Sequence, residues 1–281
     1  MSSPARPAGP SVFEPLGDER YAPTDYARGP WDPRALHGGA PSALLAGVLE
    51  RTLAAADPEG EALHPARLTI DLERPVELAP LTVRAFIARA GRKVRIAEAE
   101  LLDERGARVA RAVLLGIRRL PDALDLSVAV PGPLSPPPPL PSEPVALPAA
   151  HFSHGAGGPM FHSHAVEHRF VRGTLGAPGP GTDWIRVQIP VVAGEAVSPL
   201  QRVAAAADFG NGVAAPLPVG WTFINPDLTV TLQRLPVGEW VCLDSAGQVD
   251  PAGYGLAESD LWDEQGRLGR SVQTLLVEPL R

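Results

Sequence analysis

The chain has 281 residues, 44% of them hydrophobic and 20% charged, with a formal net charge of −7; this fits a folded globular protein of one large or two ordinary domains. The negative balance argues against a general nucleic-acid binder, and no apolar run approaches the roughly 20 residues that span a bilayer. Cys242 is the one cysteine, which excludes an internal disulfide and a cysteine-built metal site.

Residues 1–10 lack a basic patch followed by an apolar core, so no signal peptide is expected and the sequence reads as cytoplasmic. Lys93 is the only lysine, an arginine-heavy usage that suggests a GC-rich bacterial genome. A His37-Gly38-Gly39 turn precedes a run of good helix formers at 42–56, with apolar residues at 44, 45, 48, 49 and 53 and Pro41 suited to the first turn. Strand-like runs follow at 67–72, 81–90, 94–103 and 108–118, with Leu81, Val83, Ala85 and Ile87 alternating. Asp103-Glu-Arg-Gly106 reads as the tight turn between the last two.

Residues 121–148 carry prolines at 131, 133, 136–139, 141 and 144, a composition that favours an extended spacer over helix or central strand. Beyond it lie five of the seven histidines: His151, His154, His162, His164 and His168. Their spacing could gather imidazoles round a metal, but no acidic or cysteine ligands accompany them. The expectation is no metal, and a strand with His162, His164, Val166, His168 and Phe170 on one face. Strands are expected at 164–172 and 184–192, then a helix at 199–208 ended by Gly210 and Gly212. Four further strands are expected at 228–234, 239–245, 253–262 and 268–278, with Asp263-Glu-Gln-Gly266 as the last turn.

These elements repeat at a fixed offset. Leu68-Thr-Ile-Asp-Leu-Glu-Arg74 matches Leu228-Thr-Val-Thr-Leu-Gln-Arg234, and the two Asp-Glu-x-Gly turns match as well: 228 − 68 = 160 and 263 − 103 = 160. One structural unit used twice is expected, each a helix followed by an antiparallel meander. Residues 1–120 form the first repeat, 121–150 the linker and 151–281 the second repeat. At this offset Asp208 has Val48 as its mate, Gln273 has Val113 and Asn225 has Pro65. His37, Gly38 and Gly39 have Val197, Ser198 and Pro199. The first repeat keeps the glycine turn and the second keeps the polar side chains, which predicts one composite site.

The His37-Gly38-Gly39 turn before a small-residue helix resembles a hot-dog thioesterase motif. Gly255-Leu-Ala-Glu-Ser-Asp-Leu-Trp-Asp-Glu-Gln-Gly-Arg-Leu-Gly-Arg-Ser-Val-Gln273 resembles the last two strands of acyl-CoA thioesterase II proteins. The resemblance covers residues 27–120 and 163–279. It implies an α+β double hot-dog fold, in which two long helices are wrapped by antiparallel sheet. It further implies an Asp on the second helix, a Thr or related polar residue before the next strand, and a Gln in the last strand, together orienting a water. Asp208 and Gln273 match the first and last. Asn225, Thr222 and Thr229 compete for the middle position.

The implied chemistry is water attack on a thioester carbonyl. Asp208 would serve as general base. Gln273 and Asn225 would hold the water. Backbone N–H groups of Gly38 and Gly39, beside His37 at the positive end of the first helix, would stabilise the oxyanion. An acyl-CoA or acyl-carrier thioester is the expected substrate, with no cofactor and no nucleic-acid or membrane partner. Exposed sheet edges leave room for homo-oligomers. The alternative readings are a non-hydrolytic acyl-thioester binder and a dehydratase-type hot-dog enzyme. The latter usually places a His shortly after its Asp, and Asp208-Phe-Gly-Asn-Gly-Val has none. No Gly-x-Ser-x-Gly nucleophile motif is present.

Overall fold

Two antiparallel helices lie at the centre of the computed structural model, which describes residues 9–56, 63–120, 135–143 and 158–280. Helix α1 spans Gly39–Ala55 and α2 spans Pro199–Ala207. Residues 39–49 of α1 are buried on every side, as expected of a helix that is apolar all round. The two helices are started differently. Ser198 and Gln201 form a reciprocal capping box at the start of α2, with Pro199 in its first turn. Gly38 starts α1 with no side-chain cap. A short helix α3, Gly210–Val213, continues α2 after a break at Asp208 and Phe209.

The first repeat supplies strands β1 (Phe13–Gly17), β2 (Arg20–Pro23), β3 (Leu63–Leu72), β4 (Leu81–Ala90), β5 (Val94–Leu102) and β6 (Arg108–Arg118). The second supplies β7 (Val166–Arg172), β8 (Gly181–Val187), β9 (Trp221–Ile224), β10 (Asp227–Leu232), β11 (Trp240–Asp250), β12 (Tyr254–Asp263) and β13 (Gly266–Pro279). They join in one sheet of order β1-β2-β4-β5-β6-β3-β10-β13-β12-β11-β8-β7, with β9 pairing β13. The chain has the α+β double hot-dog fold. The short strands β1, β2 and β9 carry too little alternation to stand out in the sequence. Gly106 (φ +76°) and Gly266 (φ +139°) occupy the two expected turns in conformations that favour glycine.

The repeats meet where β3 pairs β10 in antiparallel register. Thr69 lies opposite Thr229, its own mate at the 160 offset, while Leu68 faces Val230 and Ile70 faces Leu228. The pseudo-two-fold axis therefore passes through the Thr69/Thr229 pair. One assignment needs correction here. Leu101 pairs Ala110, but its mate Leu261 pairs Gly269; Thr69 pairs Val113, but Thr229 pairs Val272. The last strand has thus slipped by one residue, so its offset is 159 (272 − 113 = 159). The structural mate of Gln273 is Leu114, a core residue, and not Val113. A one-residue slip exchanges the faces of a strand, which is why Gln273 points inward.

Part of the proline segment is docked on the sheet. Leu140 packs on the Trp184, Trp240, Cys242 and Trp262 cluster, and Arg169 Nη1 donates to the Pro141 carbonyl at 2.9 Å. Residues 121–134 and 144–150 of the expected linker lie outside the described residues, as do His151 and His154.

Near the start of α2, Glu50 accepts a hydrogen bond from Ser198 Oγ, and burial pushes its carboxyl up to about 6. Between its ordinary value and that one, the folded chain binds a proton that the unfolded chain releases. Stability therefore falls as pH rises through this window. At neutral pH the cost is about 2 kcal/mol. Glu50→Gln removes it: thermal denaturation is expected to show a gain of several degrees at neutral pH and almost none near pH 4.5.

Candidate functional site

Asp208 sits where α2 ends, 3% exposed, with its carboxylate against the start of α1 from the other repeat. A Cβ placed on Gly38 would lie 2.7 and 2.8 Å from the two carboxylate oxygens. Gly38 and Gly39 are therefore small because Asp208, Phe161 and the Ala205 carbonyl abut them. Gly38 itself has a helical backbone with negative φ, so no unusual angle is required of it. The anion gains from the positive end of a 17-residue helix.

Three further side chains fix this carboxylate and its surroundings. Asn225 Nδ2 donates to Asp208 Oδ1 at 2.9 Å, and His37 Nδ1 lies 3.1 Å from Oδ2. Asn211 Nδ2 donates to Asn225 Oδ1 at 3.2 Å and to the Phe223 carbonyl at 3.0 Å. That bond orients the Asn225 amide so that its nitrogen faces Asp208. Of the three candidates for the middle position, Asn225 is the one hydrogen-bonded to Asp208. The hydroxyl of Thr222 donates to the Glu278 carbonyl at 3.2 Å, and Thr229 lies in the β3/β10 junction. Asn211 was missed at the sequence level because its mate Arg51 is polar too, so no apolar-to-polar exchange marks it.

Gln273 is 1% exposed and reaches the site from below. Its Nε2 donates to the Asp208 backbone carbonyl at 3.1 Å, and its Oε1 accepts the Asn211 N–H at 3.0 Å. Both ends of the amide brace the α2/α3 break. It is not among the residues that line the cavity described below. Gly39 N–H is directed at His37 Nδ1 at 3.0 Å, leaving Gly38 N–H as the donor of the pair without a partner among the described residues.

One Nδ1 lone pair cannot serve both neighbours of His37. With Asp208 ionised, a proton on Nδ1 bridges to Oδ2 and Gly39 N–H loses its acceptor. With Asp208 protonated, Oδ2–H donates to Nδ1. His37 packs between Phe161 and Phe209, with ring centroids 5.1 and 4.5 Å away.

A cavity of about 540 Å³ opens onto these groups. His37, Gly38, Leu72 and Val76 come from the first repeat; Asp208, Asn211, Asn225 and Leu276 come from the second. Its size and largely apolar wall suit a small-molecule ligand. Among the described residues no group of three metal-ligating side chains occurs. The expected histidine face is only partly formed. Residues Phe161–Ala165 make a tight π-type turn, so His164 is exposed, His162 is buried in the turn, and only Val166, His168 and Phe170 share the strand's inner face. Burial and the neighbouring His37, His168 and His164 push His162 down to about 3, so it stays neutral at physiological pH. No helix among the described residues is long and apolar enough to cross a membrane.

Residues 27–115 match the family model of the acyl-CoA thioesterase N-terminal domain, and residues 141–277 match that of the acyl-CoA thioesterase C-terminal domain. No curated relative matches the chain in sequence. Among solved structures, a candidate thioesterase II from Thermobifida fusca YX is 20% identical, with a TM-score of 0.64 over 96% of this chain and 99% of that one. The tesB protein of Mycobacterium avium subspecies paratuberculosis is 16% identical, with a TM-score of 0.63 over 95% and 96% of the two chains. An acyl-CoA thioesterase II from Mycobacterium marinum is 14% identical, with a TM-score of 0.60 over 95% of each. At such identities the likeness to these structures is one of fold.

Proposed function

Because this chain belongs to the acyl-CoA thioesterase family and is a thioester hydrolase, we propose that its composite site hydrolyses an acyl-CoA with a water that Asp208 deprotonates. The observation that carries this reading is the Asp208 carboxylate. It is buried, borders the cavity, and is held by Asn225 from its own repeat and His37 from the other. Asp208 accepts one proton as the water oxygen bonds to the thioester carbon. The carbonyl oxygen takes up negative charge against Gly38 N–H and the positive end of α1, a donor typically worth about 3 kcal/mol of barrier. Collapse of the tetrahedral intermediate breaks the carbon–sulfur bond. The proton held by Asp208 passes to the departing thiolate, so water is divided between acid and thiol. Asn225 aims the carboxylate. Gln273 and Asn211 hold the chain on either side of it.

The test is a panel of acyl-CoAs of increasing chain length, with thiol and free acid measured in heavy-oxygen water. Equal release of both, with the heavy atom in the acid on the first turnover, supports direct attack. Label in the Asp208 carboxylate instead of the acid would mean covalent attack by Asp208. A protein that hydrates an unsaturated acyl-CoA without releasing thiol would defeat the reading altogether.

A further inference from the structure

Behind His37 lies a second buried acid–imidazole pair that the proposed mechanism does not use. His168 Nδ1 and Asp183 Oδ2 are 2.5 Å apart, with side chains 1% and 0% exposed. His168 Nε2 lies 3.0 Å from the His162 backbone carbonyl, which can only accept, so Nε2 carries a proton. The short contact on the other side needs a second proton between nitrogen and carboxyl. The pair is therefore neutral as a unit in either arrangement, which makes its burial tolerable.

Its two contacts lead to the site. By holding the His162 carbonyl, His168 pins the Phe161–Ala165 turn, whose Phe161 ring packs on His37 and closes over Gly39. The His168 ring also meets Phe209 in a T-shaped contact, with centroids 4.9 Å apart at 79°. Phe209 follows Asp208 in the chain and packs against His37, with the rings tilted by 35°. Both neighbours that hold the His37 ring are thus set by one buried pair.

We propose that the His168–Asp183 pair is a positioning element for thioester hydrolysis, fixing the Phe161 turn and the Phe209 ring and through them the angle of His37 against Asp208. The proposal rests on the hydrolytic reading above for its kinetic consequence, but the geometry of His37 can be read without turnover.

The experiment compares His168→Ala with His168→Gln, which keeps a donor for the His162 carbonyl. Each is made alone and with His37→Ala. Alone, His168→Ala is expected to lower kcat about tenfold or more while KM stays within about twofold, and His168→Gln to recover most of that loss. With His37→Ala, neither change should lower kcat further, because the pair acts through His37. Nitrogen NMR shifts of the His37 ring, assigned by their absence in His37→Ala, should move in His168→Ala and stay near wild type in His168→Gln. Should His168→Ala not fold, Phe209→Leu breaks the other link and is read in the same cycle. An equal kcat loss in both backgrounds overturns the proposal, as do unmoved His37 shifts. A wild-type protein that releases no thiol, yet whose His37 shifts follow the substitutions, sinks the hydrolase reading and leaves the positioning role standing.

Discussion

Asp208→Asn is expected to lower kcat by about a thousandfold with KM nearly unchanged, in the range found for loss of a general base. The replacement has the same shape. Its Oδ1 can still accept from Asn225, and its nitrogen can donate to His37 Nδ1. What disappears is the capacity to take a proton from water. Thiol release from the best acyl-CoA, with thermal denaturation alongside, separates lost chemistry from lost folding. Turnover within tenfold of wild type would move proton acceptance to another group, of which His37, at 3.1 Å, is the nearest.

Gly38→Ala is expected to cost about a hundredfold in kcat although it keeps the backbone N–H and every side chain of the site. The backbone at Gly38 is helical, with φ −57° and ψ −29°, so alanine meets no torsional strain. The added methyl, however, would sit 2.7 Å from one Asp208 oxygen and 2.8 Å from the other. The carboxylate must move, and the bonds from Asn225 and His37 move with it. A misplacement of about 1 Å can cost a hundredfold in rate. The second repeat supplies the control within the same molecule. Ser198 holds the equivalent place, and the mate of Asp208 there is Val48. The fold thus accepts a side chain at this position when no carboxylate faces it. Circular dichroism should show an unchanged fold. Full activity in Gly38→Ala would mean that the position of Asp208 is not what limits the reaction.

Much of the architecture could be read from the residues. The helix at 199–208 and the strands 81–90 and 108–118 were marked by spacing, and the 160-residue offset placed one meander upon the other. The offset failed at one point. A fixed count assumes that both turns are equally long, whereas Asp103 is joined to Ala107 and Asp263 to Gly266, so the second turn is one residue shorter and β13 is shifted by one. The comparison that drew attention to Gln273 therefore used the wrong mate, although Leu114 is as apolar as Val113.

At the site, an exchange of apolar for polar between repeats was visible at Asp208 and Asn225 because burial of a lone polar group demands partners. Those partners were not visible. Asn211 lacks a contrasting mate, and the direction of each Gln273 hydrogen bond depends on how α2 breaks into α3. The histidine strand was misread for a related reason. Alternation predicts a face only where the chain is extended, and Phe161–Ala165 is coiled.

The sequence by itself determined that a helix-and-meander unit occurs twice and that the copies have diverged in polarity, because both properties reside in periodicity and residue type. Only the tertiary structure decided what that divergence does. Antiparallel packing of α1 on α2 carries Gly38 to Asp208 across 170 residues of chain (208 − 38 = 170). The β13 register turns Gln273 inward as a brace, and the coiled turn at Phe161–Ala165 brings His162 and His168 behind His37. Contacts between residues so far apart depend on the relative placement of whole elements, which no local pattern in the chain records.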